Sequence, residues 1–276
     1  METKIWFVTG ASKGLGLSLV KQLLAAGQKI ASTSRIKDEL IKAVGITSDN
    51  FLPLQVDLAN SDIVKKAIEK TLVTFGRIDV LINNAGYGIG GSLEELTDTE
   101  VRSAFDVNVF GTINTIRHTL PIMRKQRSGH IINIASIAGI GAVAGWAAYG
   151  AAKAAVIALT EVLAEDVKEF GITATAVAPG AFRTSFLTEE SLVLAKNPID
   201  EYSVIRESHK KYDAMNGNQA GDPEKAAAIM IQTAYNENPP ILLLLGSDAY
   251  RRANKKLESL KDQYDALEKT TKSTDY

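Results

Sequence analysis

Tyr149 and Lys153 stand four positions apart in Tyr-Gly-Ala-Ala-Lys, thirteen residues after Ser136. On a helix that spacing puts both side chains on one face. An ammonium beside a phenol favours the phenolate and draws its pKa down. A tyrosine tuned in this way can pass a proton near neutral pH. The free phenol titrates near ~10. One cation about 4 Å away contributes roughly 4 kcal/mol at an effective dielectric near 20, about the three units required. A hydroxyl such as that of Ser136, at the carboxyl end of an apolar run, is placed to polarise a reacting oxygen.

The opening of the chain, Thr9-Gly-Ala-Ser-Lys-Gly-Leu-Gly16, indicates what such a tyrosine works beside. Gly10, Gly14 and Gly16, with Ser12, Lys13 and Leu15 between them, fall between a strand pattern and a helix pattern. Glycines there permit a tight turn and close approach of a pyrophosphate, and the helix N-terminus adds free N–H groups. The spacing G-x3-G-x-G departs from the G-x-G-x-x-G fingerprint, so its position carries more weight than its pattern.

The second strand ends Ser32-Thr-Ser34-Arg35, with no acid before Asp38 to hold a ribose 2′-hydroxyl. Arg35 with Lys13 suits a 2′-phosphate, which favours NADP(H) while leaving NAD(H) open. Asp57, with Leu58, ends the third strand and is read either as an acceptor for the adenine amino group or as a helix cap. Asn83-Asn84-Ala85-Gly86 ends the fourth, where small residues allow the backbone to approach a cofactor and an asparagine can pin neighbouring strands.

The elements that must position these groups alternate regularly. Apolar runs at Ile5–Val8, Lys29–Ser34, Phe51–Val56, Ile78–Asn83, His130–Ala135, Ile172–Ala178 and Pro240–Leu245 read as strands. Between them lie helical patterns at Leu15–Ala26, Lys37–Val44, Ser61–Phe75, Thr97–Arg124 and Ala147–Phe170. Strands apolar on both faces and separated by helices give a parallel sheet covered on both sides. The expectation is an α/β fold: a Rossmann-type, doubly wound parallel sheet of about seven strands in a three-layer α/β/α domain spanning 1–246. Residues 181–221 interrupt the alternation and read as a lid or substrate loop. Residues 247–276 read as an amphipathic helical extension, with Leu257, Leu260, Tyr264 and Leu267 as its apolar stripe and a frayed end from Thr270.

Composition excludes several classes. With 31 basic and 32 acidic residues the net charge is -1, so no nucleic-acid or membrane surface is built from charge. Zero cysteines exclude disulfides, thiolate metal sites and cysteine nucleophiles. His118, His130 and His209 have no fitting metal partners, and no metal site is expected. Met1–Lys4 runs straight into a strand without the apolar core of a signal peptide, and no long apolar run has spanning length; a cytoplasmic protein is expected.

Taken together, the chain resembles the short-chain dehydrogenase/reductase family. The likeness covers roughly residues 3–246 and rests on Thr9–Gly16, Asp57, Asn83–Gly86, Asn108, Ser136, Tyr149, Lys153 and Pro179-Gly180 in that order. It implies an oxidoreductase with a nicotinamide cofactor and an Asn108-Ser136-Tyr149-Lys153 tetrad. In that scheme Tyr149 protonates the carbonyl oxygen, Lys153 tunes it and holds the nicotinamide ribose, and Ser136 hydrogen-bonds the substrate oxygen. Asn108 supports a water-linked proton path through Lys153. Pro179 and Gly180 lie beside the nicotinamide, and Thr184 contacts the carboxamide or a phosphate. Members often form dimers or tetramers, the tetramers pairing near the last strand, here Ile241–Leu245.

Substrate walls are expected from Tyr87–Leu93, from Ile137, Ile140, Val143 and Trp146, and from Phe182, Phe186 and Leu187. Such a lining suits an apolar ketone, aldehyde or secondary alcohol. The leading expectation is an NADPH-dependent carbonyl reductase of the carbonyl and hydroxysteroid reductase-like branch. The alternatives are an NAD-preferring alcohol dehydrogenase and a non-catalytic NADP(H)-sensing protein.

Overall fold

The structure, a computed structural model, describes residues 2–276. In chain order the elements are β1 (Ile5–Val8), α1 (Gly14–Ala25), β2 (Lys29–Ser34), α2 (Lys37–Val44), β3 (Phe51–Gln55), α3 (Ser61–Phe75), β4 (Val80–Asn83), β5 (Gly88–Gly90), α4 (Asp98–Phe105) and α5 (Gly111–Gln126). Then follow β6 (Gly129–Ile134), α6 (Ala147–Val167), β7 (Ile172–Pro179), β8 (Leu192–Leu194), α7 (Ser203–Met215), α8 (Pro223–Thr233), β9 (Leu242–Leu245) and α9 (Ser247–Lys272).

Seven strands form one parallel sheet in the order β3-β2-β1-β4-β6-β7-β9. The order reverses between β1 and β4, and a crevice for ligands opens at the carboxyl ends of strands at such a switch point. Alternation along β1 explains the two buried faces. Trp6 and Val8 point to the α1 and α8 side with Leu19, Leu23 and Met230. Phe7 points to the α3, α5 and α6 side with Ile68, Ile116 and Leu163. Trp6, Phe7 and Val8 are all fully buried, each contributing on the order of 1.5–3 kcal/mol by leaving water.

A chain of buried amides and hydroxyls crosses the second half of the sheet. Asn83 Nδ2 donates to Asn133 Oδ1 at 2.8 Å, and Asn133 Nδ2 donates to Thr160 Oγ1 at 2.9 Å. Thr115 Oγ1 donates to Asn83 Oδ1 at 2.5 Å. Every side chain in this chain has a partner, so it links α5, β4, β6 and α6 without leaving a buried polar group stranded.

Helix starts follow their side chains. Asn60 Oδ1 accepts from the Asp62 and Ile63 amides at 3.1 Å and so caps α3; Asp57 is therefore not the cap of that helix, and it accepts instead from the Ala59 amide at 3.0 Å. Thr97 and Glu100 form a reciprocal capping box on α4. Asp222 caps α8, with Pro223 in its first turn.

Three sequence expectations are corrected. The single helix over Thr97–Arg124 is two helices, α4 and α5, joined by a π turn at Asp106–Phe110. Apolar periodicity continues through that turn, which is why it reads as one helix. The 181–221 segment is not a plain loop: it holds β8 and α7, and β8 pairs in parallel with the short glycine-rich β5 as a second sheet. The terminal helix runs to Lys272, past the expected fraying point at Thr270.

The helix Ala147–Phe170 is long and apolar enough by composition to span a bilayer. Here it packs on β7, with Ala152, Val156 and Thr160 fully buried.

Candidate active site

A cavity of about 1080 Å³ opens at the carboxyl ends of β1, β2, β4, β6 and β7. Its floor begins at the turn after β1. Gly10 has φ +65° there, and a Cβ on it would sit 2.6 Å from the Ala85 Cα. A side chain is excluded on both counts. Asn84 locks the turn from the other side: its Nδ2 donates to the Thr9 and Gly10 carbonyls at 3.0 and 2.8 Å. Asn84 thus acts as the strand pin, and it also faces the cavity. Gly16 does not line the cavity; it lies against Asn84 and the Gly10 carbonyl and lets α1 approach the turn.

The remaining residues expected at a cofactor line this one space: Ser12, Lys13, Gly14 and Leu15; Ser34 and Arg35; Asp57 and Leu58; Ala85 and Gly86; Pro179, Gly180 and Thr184. Arg35 is exposed at the tip of β2, and no carboxylate from that tip faces the cavity. Lys13 departs from expectation. Its Nζ donates to the Glu190 carbonyl at 3.0 Å and pairs with the Glu190 carboxylate at 3.3 Å, joining the glycine turn to the 181–221 segment.

At the other end stand the groups with reactive chemistry. Tyr149 and Lys153 project from the first turns of α6, and Ser136 from the turn after β6. Lys153 Nζ donates to the Ile134 carbonyl at 2.9 Å and lies 5.8 Å from the centre of the Tyr149 ring. Burial pushes the Lys153 ammonium down to about 8, so it remains mostly charged at pH 7. Burial also raises the Tyr149 phenol well above its ordinary range; the Ser136 hydroxyl beside it pulls the other way, and Tyr212 adds to the rise. Desolvation of the phenol is the largest of these influences, and Lys153 is not among them.

Asn108 lies behind this group, 1% exposed and inside the π turn. Its Nδ2 donates to the Ala104 and Tyr87 carbonyls at 2.9 and 3.1 Å, and its Oδ1 accepts from the Tyr87 amide at 3.3 Å. It is absent from the cavity lining. Asn108 and Lys153 meet across Gly86: a Cβ there would collide with Asn108 Oδ1 and sit 3.2 Å from Lys153 Nζ. A π turn re-aims one side chain within a helix and recurs at functional sites.

The expected substrate walls are present in part: of Tyr87–Leu93 only Tyr87 faces the cavity, and Ile89 is buried with Leu96 and Trp146. Ile137, Val143, Trp146, Phe182, Phe186 and Leu187 line the cavity. Ile140 packs instead against Ala135, Val156 and Ile157, and Leu93 is 68% exposed on the surface.

Several residues escaped the sequence reading. Tyr212, Met215 and Gln219 close the cavity from α7 and its exit, with the Tyr212 ring 4.8 Å from that of Trp146. Their signal was the spacing of Ile205, Tyr212 and Met215 on one helical face. Glu95 is a second case. It forms a box with Ser92 (Glu95 Oε2 accepts from the Ser92 amide at 2.7 Å) and holds the 181–221 segment through the Ile199 amide at 2.7 Å and the Arg206 guanidinium. Burial alone would raise its carboxyl, yet these donors hold it below the usual range. Ser92-x-x-Glu95 is the S-x-x-E pattern that could have found it. Asp248, Arg251 and Arg252 show that α9 builds part of the wall. Asp248 Oδ2 accepts from the Ala181 amide at 2.9 Å, and Arg252 donates to the Gly141 carbonyl at 2.7 Å.

The histidines have ordinary partners: His118 with Ser61 at 2.9 Å, His130 with Thr175 at 2.9 Å, and His209 with the Gly145 carbonyl at 3.4 Å. Among the described residues no cluster of side chains could hold a metal ion.

A family model described as short chain dehydrogenase matches residues 4–192. The chain belongs to the short-chain dehydrogenase family. Oxidoreductase BOA17 of Botryotinia fuckeliana is 34% identical over 261 residues, 94% of each chain. A 3-ketodihydrosphingosine reductase of Bacteroides thetaiotaomicron is 35% identical over 246 residues, 89% of each chain. The crystal structure of a short-chain dehydrogenase from Streptomyces avermitilis superposes with a TM-score of 0.92 at 34% identity, covering 100% of both chains. Two more distant structures share the fold. One is from Burkholderia phymatum, in complex with NAD (TM-score 0.81, 22% identity, 95% of each chain). The other is from Burkholderia cenocepacia, in complex with NADP (TM-score 0.75, 24% identity, 96% of this chain and 98% of that one). The short-chain dehydrogenase is thus an oxidoreductase that works with a nicotinamide cofactor on a carbonyl or alcohol.

Proposed function

We propose that this enzyme reduces an apolar ketone or aldehyde with NADPH. The observation that carries the reading is the convergence of Tyr149, Ser136 and Lys153 on one cavity that also contains the glycine turn and the β2 tip. The site fits a dinucleotide. Gly10 leaves room where a Cβ would meet Ala85, α1 presents its N-terminus to the cavity, and Arg35 stands at β2 where no carboxylate would repel a 2′-phosphate. A bound reduced nicotinamide supplies the hydride.

The chain's own residues handle the proton and the charge. Burial keeps the Tyr149 phenol protonated, which suits an acid poised to donate to a carbonyl oxygen as negative charge develops there. The Ser136 hydroxyl donates a hydrogen bond to the same oxygen. Lys153, still an ammonium at neutral pH, stabilises the phenolate left after transfer and holds the nicotinamide ribose. Asn108 is a positioning residue for the proton path: it fixes the π turn and the start of the Tyr87 strand against which Lys153 packs.

The apolar wall of Val143, Trp146, Phe182 and Phe186 supports a hydrophobic substrate. Similarity to a 3-ketodihydrosphingosine reductase, by its name an enzyme that reduces a ketone, supports a ketone substrate. As members of the family often form dimers or tetramers, a homo-oligomer is part of the same reading. The test is NADPH consumption on a panel of apolar ketones by wild type and Tyr149→Phe. Loss of about 10²–10⁴-fold in the variant is expected; equal rates would remove Tyr149 from the mechanism. Tighter binding of NADH than NADPH would overturn the cofactor assignment.

A further inference from the structure

Gln219 is 2% exposed, and neither its Oε1 nor its Nε2 has a hydrogen-bond partner in the protein. Among the described residues it is the one carboxamide in this condition. An amide withdrawn from water costs free energy unless it is bonded, and such a group in a native fold calls for an explanation. Gln219 belongs to the cavity lining. The unpartnered buried atoms of Ser32, Glu100, Thr119, Arg206 and Ser208 belong to residues outside that lining. The Trp146 indole N–H is the other unpartnered group on a lining residue.

The Gln219 side chain is not needed to fix the path of the chain, because backbone bonds do so. The Asn218 amide donates to the Met215 carbonyl at 2.9 Å, and the Gly221 amide donates to the Ala181 carbonyl at 3.0 Å. The Gln219 carbonyl accepts from Arg183 Nε at 3.2 Å. The same stretch of chain gives the cavity Tyr212 and Met215, so the carboxamide is the polar member of a largely apolar group. Trp146, on the same cavity, has its ring 4.8 Å from that of Tyr212 and 6.1 Å from that of Tyr149. This lining therefore continues to the reacting centre.

A carboxamide offers an acceptor on one side and a donor on the other. A hydroxyl or an amide of a ligand can satisfy both. A carboxylate satisfies the donor alone and sets its charge against Oε1, and an ammonium satisfies the acceptor alone.

We propose that Gln219 selects the substrate: the ketone carries, on its apolar frame, a second neutral hydrogen-bonding group, a hydroxyl or an amide, which bonds the Gln219 carboxamide. The inference rests on the ketone-reductase reading above and narrows it. The test compares wild type with Gln219→Met on a medium-chain methyl ketone and on analogues that each bear one hydroxyl or one carboxamide at a different carbon. Wild type should prefer at least one analogue to the parent ketone by about 10–100-fold in kcat/KM. Methionine, unbranched and apolar, should bring that ratio close to one. No bond within the protein is lost, so the thermal midpoint of the variant should not fall. A ratio retained in the variant would overturn the assignment, as would a wild type that favours no analogue over the parent. A lower midpoint with all ketones slowed alike would make Gln219 a structural residue instead. Weaker NADPH binding by the variant would give it to the cofactor. Should the methionine variant fail to fold, Gln219→Asn, which withdraws the amide by one carbon, is expected to lower the same ratio, and an unchanged ratio there would sink the proposal. NADPH consumption by wild type on none of these ketones would overturn the ketone-reductase reading, and this inference with it.

Discussion

Lys13, in the turn after β1, is paired with Glu190, 177 positions later in the chain. The contact ties the glycine turn after β1 to the 181–221 segment. Glu190→Gln should release the ammonium toward an anionic cofactor. The pair is solvent-exposed on the Glu190 side, and such pairs contribute about 0–1 kcal/mol, so NADPH should bind up to roughly 5-fold more tightly. NADH should change less. Fluorescence titration with both cofactors measures the difference; weaker NADPH binding in the variant would contradict the account.

Lys153 sets a pH limit on the alkaline side. Its ammonium is held at about 8, so turnover should fall as pH rises through that value and the charge that stabilises the phenolate is lost. Stability moves in the opposite direction. The folded pKa lies below 10.5, so the unfolded chain binds more protons between about 8 and 10.5. Wild type should therefore gain stability relative to Lys153→Met across that window, by roughly 3 kcal/mol at most. Urea titrations of both proteins from pH 7 to 10 would detect it. A flat difference would mean that the amine reaches water.

Gly86 is the point where Asn108 and Lys153 approach each other. A methyl group there collides with Asn108 Oδ1 and crowds Lys153 Nζ. Gly86→Ala should cost on the order of 1–3 kcal/mol of stability through overpacking. Turnover should drop by about 10²-fold or more, because a misplacement near 1 Å is amplified at the reacting centre. Retained kcat with a raised KM would assign Gly86 to binding alone.

His130 should make the fold acid-sensitive. Burial, assisted by the charge of Lys4, lowers its pKa from 6.5 to about 4. Between those values the unfolded chain takes up a proton that the folded one refuses, so stability falls as pH drops through the window. The loss approaches about 3 kcal/mol. His130→Gln should flatten that slope in denaturation curves between pH 7 and 4. An unchanged slope would place the acid transition elsewhere.

Much of the site was legible because its chemistry is local in sequence. Tyr149 and Lys153 share a helix face by spacing alone, and Gly10 and Gly86 mark places where backbone must come close. The sheet was legible because strands buried on both faces cannot be mistaken for amphipathic helices. What stayed hidden depends on distant partners. The π turn at Asp106–Phe110 inserts itself without breaking the apolar pattern. The strand Gly88–Gly90 consists of two glycines and an isoleucine, and it becomes a strand only because β8 pairs with it. The surroundings of the Tyr149 phenol stayed hidden for a related reason. Spacing reveals a neighbouring cation, whereas the desolvation of the phenol belongs to the whole surrounding fold.

The last helix is one uninterrupted rod from Asp248, which grips the Ala181 amide at the chamber wall, to Lys272 far out in solvent. Its outer end is therefore a handle and its inner end a jaw. The contacts with the chamber wall, Asp248 to the Ala181 amide and Arg252 to the Gly141 carbonyl, belong to the jaw, so the wall does not depend on what becomes of the outer turns.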